Sequence, residues 1–142
     1  MAFDGAGLEI LDTPQCLALI RRVQVGRVAV TTDEGPVIFP VNFVVLDGSV
    51  VFRTGEGTKL DAAVRNVKVA FEADAVHSTF EIGWSVIILG TAEELHDPAE
   101  VERAIQMRLR PWAPGIRSHV VRITATAVTG RRIVGDGVAP VP

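Results

Sequence analysis

The chain has 142 residues, 48% of them apolar and 22% charged, with a formal net charge of −3 at pH 7. That is the size of one ordinary domain with one core, and the apolar share speaks against a chain that is a disordered tail or a charged scaffold as a whole. The mild acidity, without a long basic block, gives no electrostatic support for large-scale nucleic-acid binding.

Residues 1–10 read as an N-terminal arm, MAFDGAGLEI. The arm lacks a basic region followed by an apolar one, so a secretory signal is not expected. Apolar runs such as Val86–Leu89 fall far short of the roughly 20 residues a bilayer span needs. The expectation is a soluble cytoplasmic domain over residues 11–134, with a loose tail, GDGVAPVP, over 135–142.

Asp12-Thr13-Pro14 has the chemistry of a helix start: a capping carboxylate, then a proline whose missing N–H would have been unpaired anyway. Leu17, Ile20 and Val23 follow at helical spacing, and Gly26 closes the segment. Cys16 lies on this helix among apolar neighbours and reads as a buried thiol. As the only cysteine, it excludes an intramolecular disulfide and a cysteine-rich metal site.

The period then changes. Gly26–Thr32, Val37–Leu46 and Val50–Thr54 are runs rich in β-branched residues, separated by Asp33-Glu34-Gly35-Pro36 and Asp47-Gly48. An Asp-Gly pair between such runs is a strong hairpin signal, so three antiparallel strands in meander order are expected. Thr58–Asn66 reads as a short helix with Leu60, Ala63 and Val64 on one face. Val67–Glu72 reads as a strand, followed by a loop around His77. Phe80–Leu95 reads as one bent strand or two, with Gly83 and Gly90 as bend points.

Asp97-Pro98-Ala99-Glu100 opens another helix, to about Leu109. Arg110–Arg117 is a loop by its prolines and glycine, and His119–Val134 is a final strand or pair. Six or so antiparallel strands with few short helices make a mainly β fold, a β-barrel with peripheral helices. Many of the strands are apolar on both faces. That calls for helices packed outside the barrel or for a subunit interface.

Two stretches carry candidate chemistry. In VVFRTGEGTKL a strand ends at Arg53, a Gly-rich turn follows, and Lys59 opens a helix. Two cations, backbone N–H groups in a turn, and the hydroxyls of Thr54 and Thr58 fit an anion such as a phosphate. A solvated hairpin end with ordinary surface cations fits the spacing equally well, and the pattern is no Walker motif. In FPVNFVV, Pro40 interrupts a strand, which is expected only at an edge or bulge. Asn42 sits there between apolar neighbours and needs a partner, either a planar polar ligand or backbone.

GRVAV, FPVNFVV, VFRTGEGTKLDAAVRNVKVAFE, GWSVIILGTAEEL, RPWAPG and VVRITATAVTGRRI, in that order, resemble the pyridoxamine 5′-phosphate oxidase-like family of FMN-binding split barrels. More narrowly, they are similar to its small single-domain branch, which includes nitroimidazole-resistance-like flavoproteins. The resemblance spans roughly residues 11–134 and implies a homodimer with two flavin sites between subunits. It implies that Arg53, Thr54, Thr58 and Lys59 hold the FMN phosphate and that Pro40, Val41 and Asn42 run along the isoalloxazine ring. Trp84 would approach from the partner subunit, with Trp112 and Arg117 near the open face of the ring.

The implied activity is a flavin-dependent oxidoreductase acting on a small substrate. The substrate-binding Trp, Arg and His set of a true pyridoxamine phosphate oxidase has no match after Ile123, where Arg131 and Arg132 stand without it. Other branches of the fold bind the deazaflavin F420 or haem, or bind a cofactor without catalysis. His77, His96 and His119 lack the spacing of a helical metal site, and no metal is expected. No G-x-S-x-G elbow is present for hydrolase chemistry. The acidic residues Glu93, Glu94, Asp97, Glu100 and Glu102 read as helix-start and surface charge.

Overall fold

The computed structural model describes residues 1–77, 79, 82–107, 109 and 118–133. The elements are β1 (Ala2–Phe3), β2 (Glu9–Leu11), α1 (Thr13–Ile20), β3 (Val25–Thr32), β4 (Gly35–Leu46) and β5 (Ser49–Gly55). They continue with α2 (Lys59–Ala63), β6 (Val67–His77), β7 (Ile82–Glu94), α3 (Pro98–Gln106) and β8 (Ser118–Ile133).

Local chemistry sets the boundaries. The Asp12 carboxylate accepts from the Gln15 N–H at 2.8 Å while Gln15 Oε1 accepts from the Asp12 N–H at 2.9 Å, a complete capping box that starts α1. Cys16, Leu19 and Ile20 on its inner face are buried. Val23 lies beyond the helix and packs against the core from the following segment. Asp47 at φ 50° and Gly48 at φ 78° supply the two left-handed positions of the tight turn joining β4 to β5. Asp97 caps α3 through the Ala99 N–H at 2.9 Å.

The strands form one sheet in the order β1-β2-β8-β5-β4-β3-β6-β7, and β8 also pairs with β7. That last pairing closes β3, β4, β5, β8, β7 and β6 into an antiparallel barrel. The expected meander is β3-β4-β5. The eight strands exceed the expected six because the N-terminal arm contributes β1 and most of β2, which extend the sheet along the free part of β8. Glu9, 2% exposed, fixes that extension with a bidentate pair to Arg132 at 2.8 and 2.9 Å.

Phe80–Leu95 contains a single strand among its described residues, Ile82–Glu94. Its pairing with β8 slips between Leu89 and Gly90, so Thr126 is the extra residue opposite. Gly90 is required there, because a Cβ would lie 2.3 Å from the Thr124 carbonyl oxygen. No such slip occurs at Gly83. The loop expected around His77 is instead strand: β6 continues to His77, whose register partner is Ile82. Long-range pairing with β7 extends it, and no local signal carries that information.

The barrel interior is filled by residues such as Val28, Val41, Phe43, Phe52, Phe71, Val86 and Ile123. Phe43 and Phe71 meet edge to face, with ring centroids 4.9 Å apart. Outside the barrel, α3 lays Ala104 and Val101 on Leu46, Val51 and Val120, forming a second apolar cluster. This helix accounts for the two apolar faces of β5. The outer face of β7 is not covered in this way: Ile87 is 43% and Leu89 48% exposed.

Candidate functional site

The barrel wall opens at one seam. β4 and β5 pair only through Phe43–Leu46 and Ser49–Phe52. Beyond Phe52, β5 pairs with β8 alone, while β4 from Gly35 to Asn42 pairs with β3 alone. Continuing the register would set Asn42 opposite Arg53, but the ladder ends between Phe43/Phe52 and that pair. The seam therefore has Pro40, Val41 and Asn42 on one lip and Arg53, the turn and Lys59 on the other. Pro40 lies on an edge, as a proline in a strand requires.

Arg53 is half-buried, and neutral groups fix its guanidinium. Nε donates to Ser118 Oγ at 2.9 Å, Nη2 donates to the same oxygen, and Nη1 donates to the Leu109 carbonyl at 2.9 Å. Among the described residues no carboxylate pairs with it. The cation is held in place without a described counter-charge. Lys59 is exposed and has no ion pair or side-chain hydrogen bond among the described residues. With only five residues in α2, the helix dipole adds little, and the side-chain cations dominate the local potential.

The threonines serve the turn. Thr58 caps α2: its hydroxyl donates to the Gly55 carbonyl at 2.7 Å and accepts from the Asp61 N–H at 3.1 Å. Gly57 takes φ 80°, which favours glycine. Thr54 is 0% exposed and donates to Asp61 Oδ1 at 2.7 Å, so its hydroxyl is committed inside the protein. Val41 is likewise 0% exposed and points into the core, which leaves only its main chain to the seam. Asn42 is half-buried, beside Val25 of β3.

Trp84 is 3% exposed and packs in the main core cluster. Trp112 and Arg117 lie outside the described residues. Arg131 and Arg132, unmatched in the sequence, are taken by the N-terminal arm, pairing with Asp4 and Glu9 at 3.0 and 2.8 Å.

Two charged groupings were not legible in the sequence. Arg27, the register partner of Pro40, reaches Glu72 at 3.1 Å and Asp74 at 3.5 Å across β3 and β6. Burial, then the neighbouring Asp74, pushes the Glu72 carboxyl up to about 7, against the opposing pull of Arg27. The second grouping starts at Asp61 and runs through Arg65 and Glu94 to His119. Arg65 reaches Glu94 at 2.7 Å, and Glu94 lies 2.9 Å from His119 Nδ1. His96 also faces Glu94, at 3.9 Å. The expected surface role of Glu94 is thus only part of its environment. No group of three or more potential metal ligands occurs among the described residues.

A six-stranded antiparallel barrel with one open seam belongs to the split-barrel class, whose solved relatives include flavin-binding proteins. The sequence model of the pyridoxamine 5′-phosphate oxidase family matches residues 12–132, and the chain belongs to that family. The uncharacterised protein Rv0080 of Mycobacterium tuberculosis is 41% identical over 135 residues, covering 92% of this chain and 88% of that protein. The FAD-binding protein of Mycobacterium smegmatis superposes with a TM-score of 0.79 at 43% identity, covering 89% of this chain and all of that one. A Bacteroides thetaiotaomicron protein named for 5-nitroimidazole antibiotic resistance shares the fold, with a TM-score of 0.70 at 18% identity over 92% of this chain and 90% of its own. No helix among the described residues is long and apolar enough to cross a membrane.

Proposed function

We propose that the protein is a homodimeric flavin-binding oxidoreductase whose cofactor lies in the β4–β5 seam. The phosphate would rest between Arg53 and Lys59 at the Gly55–Thr58 turn, and the ring along the outer side of Pro40, Val41 and Asn42. The observation that carries this reading is Arg53, a half-buried guanidinium oriented by Ser118 and the Leu109 carbonyl with no described carboxylate to neutralise it. A fixed cation with no described counter-charge, beside a gap in the wall, fits a dianionic phosphate in both charge and chemistry.

A bound flavin supplies hydride and electron transfer, while the protein supplies binding, orientation and electrostatics. Here the chain's contribution is to hold the phosphate, shape the turn through Thr58 and Gly57, and present Asn42 as a polar group beside the ring. FMN is the form we propose. FAD, the cofactor in the name of the M. smegmatis relative, has the same phosphate next to its ribityl chain. The exposed Ile87 and Leu89 support a second copy of the chain as the cover of the β7 face.

The test is an FMN titration followed by flavin fluorescence on Lys59→Ala, with Lys68→Ala as an exposed-lysine control. Weaker binding in the first variant and wild-type binding in the control is the expected result. Equal behaviour of the two variants would remove the phosphate assignment.

A further inference from the structure

The turn already encloses an anion of its own. Asp61 is 7% exposed and accepts from the Thr54 hydroxyl at 2.7 Å and the Gly57 N–H at 3.3 Å. Each of its oxygens lies 3.2 Å from Arg65 Nη2. Hydroxyl, backbone N–H and guanidinium are the donor types that hold a phosphate, and here they close on a carboxylate. Burial favours the neutral acid, but the Thr54, Gly57 and Arg65 contacts together outweigh it and keep Asp61 below the usual carboxylate range. Asp61 is therefore charged, under the same turn that carries Lys59.

Left alone, that charge would repel an incoming phosphate. Arg65 opposes it and is itself anchored from the other side, by Glu94 at 2.7 Å, with His119 holding the second Glu94 oxygen at 2.9 Å. The anchoring pair comes from β7 and β8, and His119 is the register partner of Thr54. The turn is thus tied to two strands of the closed barrel through the Arg65 guanidinium, and its own Glu56 carboxylate faces His119 Nε2 at 4.0 Å.

We propose that Arg65 is a positioning residue for the cofactor phosphate: by neutralising Asp61 and tethering it to Glu94 and His119, it makes the Gly55–Thr58 turn acceptable to an anion that Arg65 does not itself touch. The inference rests on the phosphate reading given above. The Arg65 side chain is 48% exposed but that of Asp61 only 9%, so Arg65→Met leaves a buried charge without its cation and costs stability. Tm is recorded for every variant, and Asp61→Asn/Arg65→Met, which removes both charges, separates lost folding from lost phosphate binding.

The experiment titrates FMN and riboflavin, which lacks the phosphate, into wild type, Arg53→Ala, Arg65→Met, Asp61→Asn and the double variant Asp61→Asn/Arg65→Met. Arg65→Met is expected to weaken FMN binding about tenfold, the size of one uncompensated charge near a protein surface, with riboflavin changed by less than about twofold. Asp61→Asn keeps an acceptor for Thr54 but removes the charge, so adding it to Arg65→Met is expected to restore most of the lost FMN affinity. Equal losses for FMN and riboflavin, no loss, or a loss that Asp61→Asn leaves in place would each overturn the proposal. If Arg53→Ala separates FMN from riboflavin and Arg65→Met does not, this inference alone falls. If neither variant separates them, the phosphate reading falls and takes the inference with it.

Discussion

Truncating Arg53 is the perturbation whose consequence follows most directly from the geometry. Among the described residues its guanidinium donates only to neutral oxygens on Ser118 and Leu109, and so it is held beside the end of β5 pre-oriented and with no described counter-charge. A charge-assisted hydrogen bond contributes about 1.5–3 kcal/mol. Arg53→Ala should therefore weaken FMN binding by about 10- to 150-fold and leave riboflavin nearly unchanged. Arg53→Lys retains a charge but cannot bridge Ser118 and the Leu109 carbonyl with one planar group, so its affinity should fall between the two. Fluorescence titration of both ligands against all three proteins, with Tm recorded for each, separates a lost contact from lost folding. Parallel loss of FMN and riboflavin affinity, or Arg53→Ala binding as wild type does, would refute the reasoning.

Three further outcomes concern the scaffold. Phe71→Ala, at a residue 0% exposed that packs edge to face on Phe43, should cost about 3–5 kcal/mol in chemical denaturation. A loss under 1 kcal/mol would mean that the barrel interior is not packed as described. Gly90→Ala should destabilise by about 1–3 kcal/mol, because its Cβ would press on the Thr124 carbonyl at 2.3 Å and backbone must yield. Wild-type stability in that variant would contradict the bulge. For Glu72, a carboxyl raised from 4.5 to about 7 holds its proton more tightly in the folded state, so its contribution is complete below pH 4.5 and is lost as pH rises through 7. The Tm of Glu72→Gln relative to wild type should accordingly climb across that interval, and a flat difference would remove the assignment.

Much of the local structure was legible because its causes are local. Asp47-Gly48 announced a hairpin through the two left-handed positions that only such residues fill readily. Asp12 and Asp97 announced helix starts through carboxylates that do cap them. Pro40 announced an edge or a bulge, and β4 around it pairs on one side only.

Other features depend on partners distant along the chain. Closure of β8 onto both β5 and β7, the extension of β6 to His77, and the pairing of the N-terminal arm with Gly130–Arg132 are tertiary facts. Thr54 and Val41 looked available from their place in a motif, whereas strand alternation turns both inward. Arg65, Glu94 and His119 lie 29 and 25 residues apart in successive steps, and only the barrel's folding brings them together. In the sequence Glu94 reads as helix-start and surface charge, and His119 as the first residue of a strand. Their joint position beside the turn is what gives Asp61 and Arg65 a bearing on the site.

The central claim is that the β4–β5 seam holds a flavin by its phosphate. Its most direct test is the visible absorption spectrum of the purified protein after incubation with a slight excess of FMN and desalting, run beside an identical sample given riboflavin. Flavin absorption retained with FMN and lost with riboflavin is the predicted result. A protein that comes off the column colourless from both, or equally coloured by both, would contradict the claim.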